Sequence, residues 1–97
     1  MDIGRAIRDI RKLKGVSQKQ LAELTGISAV AISQIEKGKT MPRKESLKTI
    51  CESLSVPISY IAFFSLDFSD LPEDKRVLIQ DLEGMIRSVV ENEIKAD

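Results

Sequence analysis

Apolar residues recur along the chain at helical spacing, in short segments separated by glycine, proline or serine. The residues of the first segment lie three or four positions apart: Ile3, Ile7, Ile10 and Leu13. This period predicts one amphipathic helix, and Gly15 is suited to end it because glycine readily takes the left-handed conformation. No stretch shows the two-residue alternation of a half-buried strand. The pattern therefore predicts an all-α fold.

Two short helices joined by a tight turn are predicted next. Ser17 can cap the first of them, and Gln20, three residues later, can reach back to the backbone of Ser17 in a capping box. Gly26 can end this helix and turn the chain by taking a positive φ. Ser28 can cap the following helix, which we expect to end at Gly38.

Prolines mark the beginnings of the later helices. Pro42 disfavours helical geometry at the residue before it, so a loop and then a fourth helix are expected. Pro57 suits the first turn of a fifth helix. Asp70 and Glu73 fit a capping box, with Pro72 in the first turn, and they predict a long C-terminal helix.

The C-terminal helix carries an apolar stripe that is wider than a two-position seam. Either the stripe packs on the preceding helices, or it pairs with a second copy of the chain. Its partial heptad repeat favours a homodimer, as do three nearby phenylalanines that predict a hydrophobic junction at 63–68. The residues expected at the dimer interface are Leu78, Leu82, Met85, Ile86 and Val89.

The composition excludes several kinds of site. The chain has 97 residues with no His and one Cys, so it cannot form an internal disulfide, an ordinary zinc site or His-based acid–base chemistry. The cysteine, Cys51, falls on the inward side of the fourth helix and is expected in the core. No apolar run approaches the roughly 20 residues of a membrane span, and the N-terminus lacks a signal-peptide layout. We expect a cytoplasmic protein with no metal, cofactor or membrane partner.

The balanced total of 15 basic and 15 acidic residues hides two unlike segments. Residues 1–66 hold 11 basic and 6 acidic residues, a net charge of +5, whereas residues 67–97 hold 4 basic and 9 acidic residues, a net charge of −5. A partner feels the local field rather than the total charge. The first segment can therefore attract nucleic acid although the whole chain is neutral.

Three segments together resemble the Cro/phage-repressor family of helix-turn-helix proteins, also called XRE type: SQKQLA at 17–22, TGIS at 25–28 and ISQIEKGK at 32–39. The resemblance covers about residues 3–66. It implies a five-helix lambda-repressor-like DNA-binding domain over residues 1–66, with the long C-terminal helix of residues 67–97 outside it. It also implies double-stranded DNA as the partner, no enzymatic activity, and a third helix that enters the major groove.

The resemblance assigns roles to single residues. A basic residue late in the first helix and the acid that ends the third, here Arg11 and Glu36, would form a partly buried ion pair. The expected contacts to base edges are Ala29, Val30, Ser33 and Gln34. The expected contacts to phosphate are Gln18, Lys19, Ser28, Lys37, Lys39, Thr40 and Arg43.

The base-reading positions predict weak direct readout. Ala29 and Val30 offer only apolar contact, which suits thymine methyl groups, whereas Gln34 can pair with an adenine edge. We therefore expect the shape and deformability of the DNA to contribute to discrimination.

Two functions remain open at this point. The leading hypothesis is a repressor-like, sequence-specific transcriptional regulator that binds a pseudo-palindromic operator as a homodimer. The alternative is a protein-interaction module, an antitoxin or adaptor, whose C-terminal helix binds another protein. No small-molecule ligand is expected, because the sequence shows no separate effector-binding domain.

Overall fold

The computed structural model describes residues 2–95 and consists of helices joined by short turns. No strand occurs within this range. The elements are α1 Ile3–Leu13, α2 Gln18–Thr25, α3 Ala29–Glu36, α4 Lys44–Ser53, α5 Ile58–Ser65 and α6 Glu73–Lys95. The predicted all-α fold, with five helices followed by a long sixth, is confirmed.

Capping groups and a glycine define α2 as the sequence predicts. The hydroxyl of Ser17 accepts a hydrogen bond from the backbone N–H of Gln20 at 3.0 Å, and the backbone N–H of Ser17 donates to Gln20 Oε1 at 2.8 Å. This reciprocal pair satisfies two backbone donors that no helical carbonyl can reach. Gly26 then takes φ 76° and ends the helix, and its N–H donates to the carbonyl oxygen of Ala22.

Two predicted helix starts are wrong by one or more residues. Pro57 precedes α5 instead of lying in its first turn, because its ψ of 153° is extended. Pro72 likewise precedes α6, since its carbonyl oxygen accepts from the backbone N–H groups of Lys75 and Arg76. Asp70 is therefore two residues too early to be the cap of α6, and the predicted capping box with Glu73 does not describe this helix start.

One buried cluster holds all six helices together. α1 packs against α5, α3 and α6, while α2 packs against α3 and α4. The cluster consists of Ala6, Ile7, Ile10, Leu21, Ile32, Ile35, Ile50, Cys51, Leu54, Val56, Ile61, Phe64 and Val90. Burial in it raises the pKa of the Cys51 thiol, and the neighbouring Glu52 carboxylate adds to the rise.

A glycine brings α1 against the end of α3. A Cβ atom at Gly4 would overlap the backbone carbonyl oxygen of Ile35 and would lie 3.0 Å from that of Glu36. Only a residue without a side chain can therefore occupy this position while the backbones stay where they are. The close approach fixes where the C-terminal end of α3 lies on the rest of the protein.

The junction between α5 and α6 is packed, as the sequence predicts. The rings of Phe63 and Phe64 meet edge to face with centroids 5.8 Å apart, and Phe68 lies 6.1 Å from Phe63. Farther along, the backbone N–H of Ser69 donates to Asp67 Oδ1 at 2.9 Å, and this bond lowers the pKa of the Asp67 carboxyl.

The C-terminal helix packs on the other helices along one face only. Val90 is fully buried, and Ile86 packs against the core while staying partly exposed. Leu78, Met85 and other large apolar residues of α6 stay well exposed. One edge of the apolar stripe therefore contacts the chain's own core, and Ile86, which the sequence predicts at the dimer interface, belongs to that edge.

Neither a single membrane-spanning helix nor a cluster of metal ligands occurs within residues 2–95. No single helix is long and apolar enough to cross a bilayer; α4 and α5 together pass on length and composition, but the chain bends by 105° between them. In the same range, no three His, Cys, Asp or Glu side chains cluster in a way that could hold a metal ion.

Candidate nucleic-acid interface

Helix α3 is buried on one side, where it packs on the core, and exposed to solvent on the other side. Ile32 and Ile35 are buried in the core. Ala29 and Val30 lie in the first turn of α3 on the solvent side, and the Val30 side chain is 71% exposed. An anchored helix with a free first turn is the arrangement that can enter a major groove, whose width admits one α-helix.

The second turn of α3 offers polar groups on a partly covered surface. Ser33 and Gln34 are both intermediate in exposure. Ser28 caps the helix, since its hydroxyl oxygen accepts from the backbone N–H of Ala31 at 3.1 Å. The Ser28 hydroxyl is itself exposed and can still donate its hydrogen to an anion.

A buried charge network joins α3 to the two helices before it. Arg11 Nε lies 2.7 Å from Glu36 Oε2, and Arg11 Nη2 lies 3.0 Å from Glu36 Oε1, so the two side chains form a bidentate pair. Arg11 Nη1 also donates to the carbonyl oxygen of Val16 at 2.8 Å. The side chains of Arg11 and Glu36 are only 9% and 2% exposed. The pair expected from the resemblance thus lies inside the protein.

Gln18 belongs to the same network, which sequence reasoning missed. Its amide nitrogen donates to Glu36 Oε1 at 3.0 Å, so the first residue of α2 contacts the last residue of α3. An amide nitrogen carries two hydrogens, and one remains for another acceptor such as a phosphate. The network therefore holds Gln18 in place without using up its capacity to donate.

The turn after α3 has the backbone bonds of a Schellman motif. Gly38 takes φ 78°, its N–H donates to the carbonyl oxygen of Ile35, and the N–H of Lys39 donates to that of Gln34, both at 3.0 Å. These bonds fix the backbone of Lys39 relative to α3. A lysine placed in this way presents its charge from a defined point at the end of the helix.

The remaining residues expected at phosphate are exposed and flank α3 in the chain. Lys19 lies in the first turn of α2, Lys37 caps α3, and Thr40 lies in the loop that follows. Arg43 precedes α4 as its cap residue. The structure thus leaves the cationic groups accessible at the ends of helices α2, α3 and α4.

Comparison with known proteins adds the family. A family profile described as Helix-turn-helix matches residues 7–61. The chain is 41% identical over 58 residues to the HTH-type transcriptional activator BcrR of Enterococcus faecalis; the matched segment is 60% of this chain and 28% of BcrR. It is 33% identical over 76 residues to the HTH-type transcriptional regulator PuuR of Escherichia coli (strain K12); this segment is 78% of this chain and 39% of PuuR.

A third relative is named as a repressor, whereas the first is named as an activator. The chain is 36% identical over 55 residues to the HTH-type transcriptional repressor RghR of Bacillus subtilis (strain 168); these residues make up 56% of this chain and 41% of RghR. The matched part of this chain thus spans less than half the length of each of these relatives. The profile covers more than half of the chain, and the chain belongs to the helix-turn-helix family.

Proposed function

We propose that this chain is a sequence-specific, DNA-binding transcriptional regulator of repressor type that binds a pseudo-palindromic operator as a homodimer. The family and the names of the relatives point to a non-enzymatic regulator of transcription. The observation that carries the proposal is the anchored helix α3, with its free first turn at Ala29 and Val30. We expect the regulator in the cytoplasm, with double-stranded DNA as its partner and no cofactor or small-molecule ligand.

In this proposal the exposed side of α3 reads base edges in the major groove. Ala29 and Val30 contact thymine methyl groups, and Gln34 pairs with an adenine edge, while Ser33 lies one turn behind them. The exposed apolar surface of Val30 supports such a contact, because it would lose water only when DNA covers it.

The phosphate contacts surround that helix. Gln18 offers its second amide hydrogen beside the N-terminus of α2, where the helix dipole favours an anion. Lys39 is held by the Schellman turn, and Arg43 lies at the start of α4. Lys19, Ser28, Lys37 and Thr40 complete the set of phosphate contacts that we propose.

The dimer would form through the exposed seam of α6, which we define as Leu78, Leu82, Met85 and Val89. These side chains are 69%, 43%, 66% and 48% exposed. They follow one another at intervals of four, three and four residues, which is the spacing of a coiled-coil seam. We propose residues 1–66 as the DNA-binding domain and residues 67–97 as the dimerisation element; residues 1, 96 and 97 lie outside the described range.

Selection of bound sequences from a random pool of duplex DNA tests this function. A two-fold dimer should enrich a pseudo-palindrome with half-sites about one turn, about 34 Å, apart. If about 6 to 10 phosphates are contacted, affinity should fall by about 10³ to 10⁵ between 50 and 200 mM salt. No enrichment together with a flat salt response would contradict the proposal.

Two substitutions separate base readout from phosphate binding. Gln34→Ala should relax specificity at one position in each half-site, with a loss of about 1–3 kcal/mol for the preferred base. Lys39→Ala should weaken all sequences alike and reduce the salt slope by about one. Arg76→Ala, which removes one positive charge from an exposed position on α6, is the control. It should leave the base specificity and the salt slope unchanged.

The alternative function is an interaction module, an antitoxin or adaptor, in which α6 binds a different protein. The observation that favours it is the exposed seam, since the structure of a single chain leaves these apolar side chains in water. A protein that stays monomeric at micromolar concentration and enriches no DNA sequence would support this alternative against the leading one.

A further inference from the structure

Helix α6 contacts the rest of the chain along one edge and exposes its seam along another. The docked edge includes Ile86, Arg87 and Val90. The seam overlaps this segment, since Met85 and Val89 lie within it. The angle at which α6 docks therefore decides the direction in which its seam points.

Arg87 contacts two other helices from α6. Its Nη2 lies 3.9 Å from Asp9 Oδ2 on α1, and its guanidinium carbon lies 5.0 Å from the centroid of the Phe64 ring on α5. Glu83, one turn earlier, accepts from Nε at 3.1 Å and from Nη2 at 2.9 Å. The guanidinium group thus contacts one side chain on each of α1, α5 and α6.

Apolar docking alone would not fix the angle of α6 in the same way. Contacts of Ile86 and Val90 with the core depend on buried area and have no direction. A guanidinium group that lies over an aromatic ring, and that a carboxylate of its own helix holds by hydrogen bonds, has a preferred orientation. Arg87 therefore adds to this interface a contact with a preferred orientation, and this contact resists a tilt or a rotation of α6.

The helix that Arg87 contacts through Asp9 also holds α3. Asp9 is two residues before Arg11, which forms the buried pair with Glu36 at the end of α3. Gly4, on the same helix, meets the backbone of α3 directly. Helix α1 thus packs on α6 and on α3, so it connects α6 to the proposed base-reading helix.

A small change in docking angle is large on the scale of DNA. A tilt of about 10° over about 20 Å, roughly half the longest extent of 43 Å, moves α3 by about 3.5 Å. That displacement is about one base-pair step, since about 10 base pairs span about 34 Å. In a two-fold dimer both copies of α3 would move.

We propose that Arg87 is a positioning residue that sets the distance between the two copies of α3, and hence the half-site spacing that the dimer selects. This inference rests on the proposed function, because it requires a dimer on a two-half-site operator. Arg87 touches no DNA in this role; it acts through Asp9 and Phe64 on the direction of the seam.

The test compares operators that differ only in the spacer between half-sites. The selected operator is shortened and lengthened by one and two base pairs, and binding of the full chain and of Arg87→Ala is measured with each. The wild-type chain should discriminate by about tenfold or more per step, whereas Arg87→Ala should bind all spacings within about threefold. Arg76→Ala, with the same loss of charge on the same helix, should keep the wild-type preference.

A second measurement needs no DNA. A spin label on Glu23→Cys, an exposed position on α2, reports the distance between the two DNA-binding halves of the dimer, and a short labelling reaction spares the buried Cys51. The distance distribution should be narrow in the wild-type background and broad in Arg87→Ala. If Arg87→Ala does not fold or dimerise, Arg87→Lys, which keeps the charge without the planar fork, is measured in its place.

The outcomes separate the two proposals. An enriched palindrome with an unchanged spacing preference and an unchanged distance distribution in the Arg87 variant overturns the role of Arg87 alone. A wild-type chain that is strictly monomeric, or that enriches no palindrome, overturns the proposed function first and this inference with it. Loss of spacing preference together with a broadened distribution, at unchanged affinity for a single half-site, supports the inference.

Discussion

At the scale of single residues, one carboxylate organises the end of α3. Glu36 accepts from Arg11 and from Gln18, so it joins α1, α2 and α3 at one point. The resemblance assigned the first contact but not the second. A glutamine at the start of a helix carries the same local signal whether it faces a phosphate or a neighbouring side chain. The 3.0 Å contact with Glu36 arises from tertiary packing, which the local sequence does not encode.

Removing one partner of this pair should destabilise the fold. Arg11→Met leaves Glu36, whose side chain is 2% exposed, without its charged partner, and we expect the free energy of unfolding to fall by about 3–5 kcal/mol. Urea unfolding followed by circular dichroism measures the change. Lys12→Met, at the exposed neighbouring position, should stay within about 0.5 kcal/mol of the wild type. Equal losses for the two variants would contradict the structural role of the pair.

At the scale of the elements, the helices were predictable because their ends carry strong local signals. The capping box at Ser17 and the turn at Gly26 need only neighbouring residues to form, and both lie where the sequence predicts them. Proline is less informative, because it fits the cap position as well as the first turn. The sequence therefore predicts Pro57 and Pro72 in the first turns of helices that both residues in fact precede. Gly4 gave no signal at all, since the need for glycine comes from α3, which is distant in the sequence.

The same substitution at two helical glycines should have opposite effects. A Cβ at Gly4 would overlap the backbone of α3, so Gly4→Ala should lower the free energy of unfolding by about 1–3 kcal/mol. A Cβ at Gly84, in the middle of α6, meets nothing within 4 Å. Gly84→Ala should therefore raise the free energy of unfolding by up to about 1 kcal/mol through helix propensity.

Thermal unfolding of the two alanine variants beside the wild type checks both signs. Neither glycine has a positive φ, so backbone strain does not enter the comparison. The two variants add the same methyl group to an α-helix and differ in what surrounds it. Two shifts of the same sign would show that space around Gly4 does not decide the packing of α1 on α3.

At the scale of the whole molecule, α6 both belongs to the core and leaves a surface open. The width of its apolar stripe was visible in the sequence, but a periodic stripe does not say which edge faces the chain's own core. Only packing decides this, and it places Val90 inside and leaves the seam outside. Ile86 lay within the same stripe, and the sequence offered no means of separating it from its neighbours.

A charge placed on the seam should separate dimerisation from folding. Met85 is 66% exposed in the single chain, so Met85→Glu should not disturb the core, whereas a carboxylate in a coiled-coil seam disfavours pairing. We expect the variant to sediment as a monomer at micromolar concentration with an unfolding temperature close to that of the isolated wild-type protomer. Gln80→Glu adds the same charge at an exposed position off the seam and should remain dimeric. A dimeric Met85→Glu variant would refute the seam as the interface.

The exposure of α3 has a consequence for how this kind of regulator can diversify. The four positions that we assign to base edges lie outside the buried cluster, while Ile32 and Ile35, between and beside them, lie within it. Substitutions at these four sites can therefore change the recognised sequence at little cost in stability. A duplicated gene could acquire a new operator while its folding and assembly stay as they were, and an engineer could build mutually insulated regulators from one scaffold by the same route.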